Sequence, residues 1–218
     1  MSGSALLAAG LAWLDWSLLP WFTAWAVPVS RLEGVACVLS LWMVACNLRV
    51  NPLGWPLAML SSVLYGLLFL RSGLYGEAGL QLVFVLVSAW GWRQWLKGDA
   101  SQGGESVSWL TARQRAGALL VLLLAWPALG LLLRHFTDSD VPFADALPTA
   151  ASLLGQWLLA RKRVENWPCW LAVNLFSMAL FAHKQLWLTV WLYAVFALLS
   201  AWGWRAWRAL ARAEAPAA

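Results

Sequence analysis

Charged residues are scarce, at 11% of the 218 residues, while 62% of the chain is hydrophobic. Soluble domains carry roughly 25% and 45–50% respectively. So few charged groups do not cover the exterior of so apolar a chain in water. A soluble globular domain is therefore excluded, and an integral membrane protein is implied. Histidine occurs twice, at His135 and His183, in what read as outer loops. Neither HExxH nor GxSxG is present, which excludes a zinc metalloprotease and a nucleophile-elbow hydrolase. A haem-carrying subunit needs axial ligands within its spans, and none is placed there. Three cysteines, Cys37, Cys46 and Cys169, lie in apolar runs without a CxxC pair, so neither a zinc site nor a disulfide framework is expected. No catalytic residue, metal or cofactor is expected. The opening Met-Ser-Gly-Ser has no basic stretch, so a cleaved signal peptide is not expected. The net charge of +5 reads as a topology signal and not as a nucleic-acid surface.

What the chain has in abundance is tryptophan, 19 in all. Indole suits membrane interfaces and stacks on flat ligands. Uncharged runs cover 34–48, 50–70, 78–92, 116–133, 146–160, 166–182 and 185–204. They predict seven transmembrane helices, the shorter ones extended by snorkelling arginines such as Arg93, Arg161 and Arg205. The stretch 5–27, with Asp15, Pro20 and four tryptophans, reads as an interfacial helix plus linker. Alternating loops place eleven basic residues on one side and Arg31, Arg71, Arg134 and Lys184 on the other. The positive-inside rule then puts the N-terminus outside and the C-terminus in the cytoplasm.

The chain repeats itself. AWGWRQW at 89–95 returns as AWGWRAW at 201–207, an offset of 112 that also maps Trp55-Pro56 onto Trp167-Pro168. Over 33–95 against 145–207 there are 19 identities in 63 positions without a gap, against roughly a tenth expected from composition. Each copy holds three spans and one further span separates them. The copies are then parallel, a 3+1+3 all-α arrangement with the substrate site at the repeat interface. The expected divisions are 1–30 (interfacial segment), 31–97 (first repeat), 98–134 (loop and linker helix), 135–209 (second repeat) and 210–218 (tail).

Polar residues recur at helical spacing within the spans. Glu33, Cys37 and Ser40 match Asp145, Thr149 and Ser152, with Gln156 beyond; Ser62, Tyr65 and Phe69 match Asn174, Ser177 and Phe181; Glu77, Gln81, Phe84 and Ser88 match Thr189, Tyr193, Phe196 and Ser200. Such stripes avoid lipid and face inward. They either line a common cavity or hold helices together. Tyr65, Phe84, Trp187, Trp191 and Tyr193 offer faces for a flat ring, and Gln81 and Asn174 offer amides. The candidate substrate-binding set is Tyr65, Phe69, Gln81, Phe84, Ser88, Asn174, Ser177, Trp191 and Tyr193. No carboxylate or histidine sits mid-span, which favours facilitated diffusion over proton coupling.

Leu74, Tyr75 and Gln81, then Gly91, Trp92 and Trp95, then RKRVENW at 161–167, with Asn174, Ser177 and Tyr193, resemble the PnuC family of nicotinamide riboside transporters over roughly 30–208. The resemblance implies a multi-pass facilitator of the bacterial inner membrane, usually a homotrimer. It would move nicotinamide riboside down its gradient for NAD salvage, with a cytoplasmic kinase trapping the product. Relatives carrying thiamine, riboflavin or deoxynucleosides are the alternative it allows. The tryptophan-rich seventh span departs from the pattern expected of a nicotinamide riboside carrier.

Overall fold

The structure is a computed structural model that describes residues 12, 15–17, 19–24, 27–71, 75–99, 106–137, 141–183 and 187–213. Among these, seven long helices dominate: α1 (Arg31–Leu48), α2 (Gly54–Arg71), α3 (Tyr75–Asp99), α4 (Ala112–Phe136), α5 (Pro142–Ala160), α6 (Asn166–His183) and α7 (Trp187–Ala213). A short hairpin, β1 (Pro20–Ala24) and β2 (Val27–Ser30), precedes them. The helices form because long apolar stretches leave every backbone group to be satisfied within the segment. Several run past the uncharged stretches; α7 carries Arg205, Arg208 and Arg212. His135 and His183 thus belong to the last turns of α4 and α6, not to loops. Taken singly, Arg31–Leu48 and Ala112–Phe136 are long and apolar enough to cross a membrane.

In the stretch read as interfacial helix and linker, described residues 12 and 15–17 are helical. The correction falls on Pro20–Ala24 and Val27–Ser30, which form an antiparallel pair with Phe22 opposite Val29 and Ala24 opposite Val27. Two prolines and a β-branched Thr-Val-Val set disfavour helix here and suit an edge ribbon. Residues 1–11 lie outside the described set. The hairpin leads into α1 through Ser30, whose hydroxyl accepts the Glu33 N–H at 3.1 Å and caps the first turn. Arg31 folds back over the Trp16 ring, 4.3 Å from its centroid.

In sequence order α1 packs on α2 and α2 on α3; likewise α5 packs on α6 and α6 on α7. Between these two runs, α3 lies against α5 and α1 against α7, while α4 lies against α5. An offset of 112 turns α1 into α5 and α3 into α7, so the two cross-run contacts exchange into each other. The C-terminal end of α1, the N-terminal end of α2 and Trp95 of α3 meet at one buried cluster, together with the corresponding parts of α5, α6 and α7. Equivalent helices therefore point the same way.

Four tryptophans form the centre of that cluster. Trp55 meets Trp95 edge to face at 5.5 Å and 85°, and Trp167 meets Trp207 at 5.7 Å and 82°. Trp95 and Trp207 then approach each other at 6.3 Å. The Trp95 indole donates to the Leu159 carbonyl at 3.2 Å, and the Trp207 indole to the Asn47 carbonyl at 3.0 Å. Positions 47 and 159 are themselves 112 apart, so these two bonds are reciprocal. Gly91 and Gly203 are required here, since a Cβ on either would overlap the ring of Trp55 or Trp167. The turns after α1 and α5 match as well. Val50 and Lys162 both take left-handed backbone, φ 53° and 49°, and Asn51 and Arg163 N–H groups close onto the Cys46 and Leu158 carbonyls. This is a left-handed helix end made without glycine.

Candidate functional site

A cavity with two adjoining lobes lies between the helices, above the tryptophan cluster. The wider lobe, about 250 Å³, is bounded by Asn47, Gln156, Trp170, Asn174, Tyr193 and Phe196, among others. The narrower one, about 160 Å³, is bounded by Ser61, Ser62, Tyr65 and Gln81. Ser40, Met43, Phe84, Gln156 and Trp170 border both lobes, so the two adjoin. The residues come from α1, α2, α3, α5, α6 and α7, three helices from each run. Helical spacing puts them on inward faces because lipid does not solvate hydroxyls and amides.

The expected site residues divide. Tyr65, Gln81, Phe84, Asn174 and Tyr193 line the cavity. Ser88 and Ser177 are buried but border neither lobe. Trp191 is 60% exposed on the outer surface of α7, which removes it as a cavity residue. One position along a helix turns a side chain by about 100°; Trp191 lies two positions from Tyr193 and faces away. The side chain of Phe69 lies outside the described set, as do those of Phe181 and Glu77.

Several stripe residues also bind helix to helix, which is the other role open to them. Ser40 and Ser61 hydroxyls bond at 2.8 Å and both reach the Ala36 carbonyl, tying α1 to α2. The Asn174 amide donates to the Ser200 hydroxyl at 3.2 Å, tying α6 to α7. Asn174 thus serves the packing while it borders the cavity.

Sequence reasoning did not include Trp170, Gln156, Asn47 or Asn166 in the site. Trp170 and Gln156 replace Ala58 and Val44 of the first copy. A difference between aligned repeat positions, small on one side and large or polar on the other, was the available signal. Both lobes mix hydroxyls, amides and aromatic faces. The narrow one has Ser40, Ser61, Ser62, Tyr65, Gln81, Gln156, Phe84 and Trp170. The wide one has more rings (Phe84, Trp167, Trp170, Tyr193, Phe196) beside amides and the hydroxyls of Ser40, Ser152 and Ser200. Among the described residues, none that borders either lobe is charged. Such a lining suits a ligand that combines a flat ring with hydrogen-bonding groups.

Known proteins share this architecture. A crystal structure of the vitamin B3 transporter PnuC superposes with a TM-score of 0.70 at 22% identity, covering 84% of this chain and 83% of that one. The riboflavin/roseoflavin transporter RibM of Streptomyces davaonensis is 30% identical over 177 residues, 79% of this chain and 82% of the relative. The nicotinamide riboside transporter PnuC of Escherichia coli is 22% identical over 204 residues, 82% of this chain and 85% of the relative. The family profile described as nicotinamide mononucleotide transporter matches residues 30–209, the span that holds every residue bordering the cavity. With the profile, the relatives and the fold in agreement, the chain belongs to the nicotinamide mononucleotide transporter family, to which the PnuC transporters belong, and is a multi-pass membrane transporter.

Proposed function

We propose that the protein is a facilitator that carries nicotinamide riboside across the bacterial inner membrane for NAD salvage. The observation that carries this reading is the cavity lined by aromatic rings, amides and hydroxyls together. Nicotinamide riboside has a cationic flat ring, a carboxamide and a ribose. A cation over an aromatic face gains about 2 kcal/mol when desolvated, and the cavity supplies several such faces without a fixed countercharge. Ribose hydroxyls would pair with Ser61, Ser62, Tyr65 and Gln81. Modest affinity suits a carrier, which must also release its cargo.

The same reading takes the seven helices as spans in a 3+1+3 order of two like-oriented units, with residues 31–97 and 135–209 as the units and 98–134 as the connection. Support comes from the exchangeable helix contacts and the reciprocal tryptophan bonds. The basic residues at 49, 93, 161–163 and 205–212 favour a cytoplasmic C-terminus. A homotrimer and a cytoplasmic kinase that traps the product belong to this proposal too. Transport without a proton is part of the same proposal, in keeping with the absence of a carboxylate or histidine among the described residues bordering the cavity.

Riboflavin is the second reading, and the RibM relative, at 30% identity, favours it. Its ring is larger and its ribityl chain again offers hydroxyls. Calorimetric titration of the purified protein with nicotinamide riboside, thiamine and riboflavin in parallel tests the proposal. Saturable heat with nicotinamide riboside supports it. Heat with riboflavin alone establishes the second reading, and no heat with any of the three contradicts both.

A further inference from the structure

At the basic end of the molecule one arginine is held in a way that a topology signal does not require. Arg161 follows the last turn of α5, and α5 lies against α3. Its guanidinium carbon lies 5.8 Å from the centroid of the Trp90 ring of α3 and 5.9 Å from that of the Trp157 ring of α5. Two indoles from two helices thus hold one exposed cation at the groove between them, a placement that ring quadrupoles favour. Among the described residues, the Arg161 side chain has no hydrogen-bond or carboxylate partner. Contact with the rings leaves its N–H edge free for an outside acceptor.

The neighbouring residues extend this point into a lining. From Trp90, helical spacing puts Arg93 and Lys97 on the same side of α3 toward the basic end, both exposed. The same spacing puts Leu86 and Leu82 on that side toward the middle of the span, each 62% exposed. Cations at the helix ends above an apolar strip match a phosphate headgroup above an acyl chain.

The repeat supplies a comparison within the chain. An offset of 112 carries Trp90 to Trp202, Trp157 to Ala45, Arg161 to Arg49 and Lys97 to Ala209. The corresponding groove between α7 and α1 keeps an arginine and one indole but lacks the second ring and the lysine. Among the described residues Arg49 lies over no ring. The fold closes that contact without a two-ring hold.

We propose that the α3–α5 groove binds an anionic phospholipid, the lipid phosphate accepting the N–H groups of Arg161 with Arg93 and Lys97 alongside, and an acyl chain lying along Leu82 and Leu86. Charge complementarity selects this occupant, since a zwitterionic headgroup brings its own ammonium toward three cations. The site lies on the outer surface, apart from the cargo cavity, and holds whichever vitamin is carried.

The test is native mass spectrometry of the purified full-length protein, released from micelles that hold equal phosphatidylglycerol and phosphatidylcholine. Wild type should retain phosphatidylglycerol about fivefold over phosphatidylcholine. Arg161→Gln should bring that ratio close to one, while Arg49→Gln should leave it at the wild-type value. Gel filtration checks that each variant folds. Should Arg161→Gln not fold, Trp157→Leu and Lys97→Gln decide in its place, by the presence or absence of the same fall. A ratio of one in wild type, an unchanged ratio in Arg161→Gln, or an equal fall in Arg49→Gln overturns the assignment. A changed subunit number in Arg161→Gln with the lipid ratio intact also overturns it, because a second copy of the chain then fills the groove.

Discussion

Trp95 and Trp207 each leave their own three-helix run to bond a carbonyl on the first helix of the other, at Leu159 and Asn47. Trp207→Phe keeps most of the ring but removes the indole bond to the Asn47 carbonyl, which still accepts the Val50 N–H, at a cost of about 1 kcal/mol. The thermal unfolding midpoint in detergent should fall accordingly, and Trp95→Phe should behave alike. Gly203→Ala should be at least as harmful, because its new methyl overlaps the Trp167 ring and overpacking costs about 1–3 kcal/mol. Gln81→Ala tests a different property. It should weaken substrate binding roughly tenfold with little change in unfolding midpoint, since Gln81 borders the narrow lobe at the cavity wall. The repeat of Trp55, Gly91, Trp95 and their mates was legible as a pattern. Its meaning was not, because a glycine shaped to receive an indole from another helix leaves no trace in helical periodicity.

Among the elements, the strand-like segment before α4 shows why a motif can be seen and misread. RKRVENW carries part of the family resemblance, and its Arg161, Lys162 and Arg163 are expected only to mark the cytoplasmic face. In the structure Ser108 pairs in parallel with Arg163, its N–H donating to the Lys162 carbonyl and its carbonyl accepting from Val164. The Glu165 carboxylate accepts the Leu110 N–H at 3.1 Å and the Arg115 guanidinium at 2.9 Å, while Val107 and Leu110 are buried beneath. Arg115 is half exposed, so water screens the ion pair and the backbone bond contributes more. Glu165→Ala should release residues 106–111, read as faster amide exchange at Leu110 with the α6 amides unchanged. Equal exchange in variant and wild type would refute the clamp. No local rule connects positions 110 and 165, and so the clamp was invisible in sequence. Helix existence was legible for the opposite reason, since apolar runs and their charged ends are local. The hairpin at 20–30 was missed because tryptophan-rich amphipathic stretches suit an interfacial helix equally well, and here the prolines decide.

At the scale of the whole molecule, six helices from two similar runs close around one cavity, and the asymmetry of the runs gives that cavity its chemistry. The gapless offset of 112 made the pairing of α1 with α5 and α3 with α7 legible. Five expected residues, Tyr65, Gln81, Phe84, Asn174 and Tyr193, do meet at the cavity. Trp191 does not, because an aromatic on a membrane helix suits the lipid belt as well as a ligand and its residue type alone does not choose. The central claim is that this cavity passes a vitamin down its own gradient. It is tested most directly by uptake of labelled nicotinamide riboside, with riboflavin in parallel, into liposomes holding the purified protein and no ion gradient. The account predicts saturable entry that stops when inside and outside concentrations match and is unaffected by a proton uncoupler. No entry of either vitamin, or accumulation that appears only under an imposed pH gradient, would contradict it.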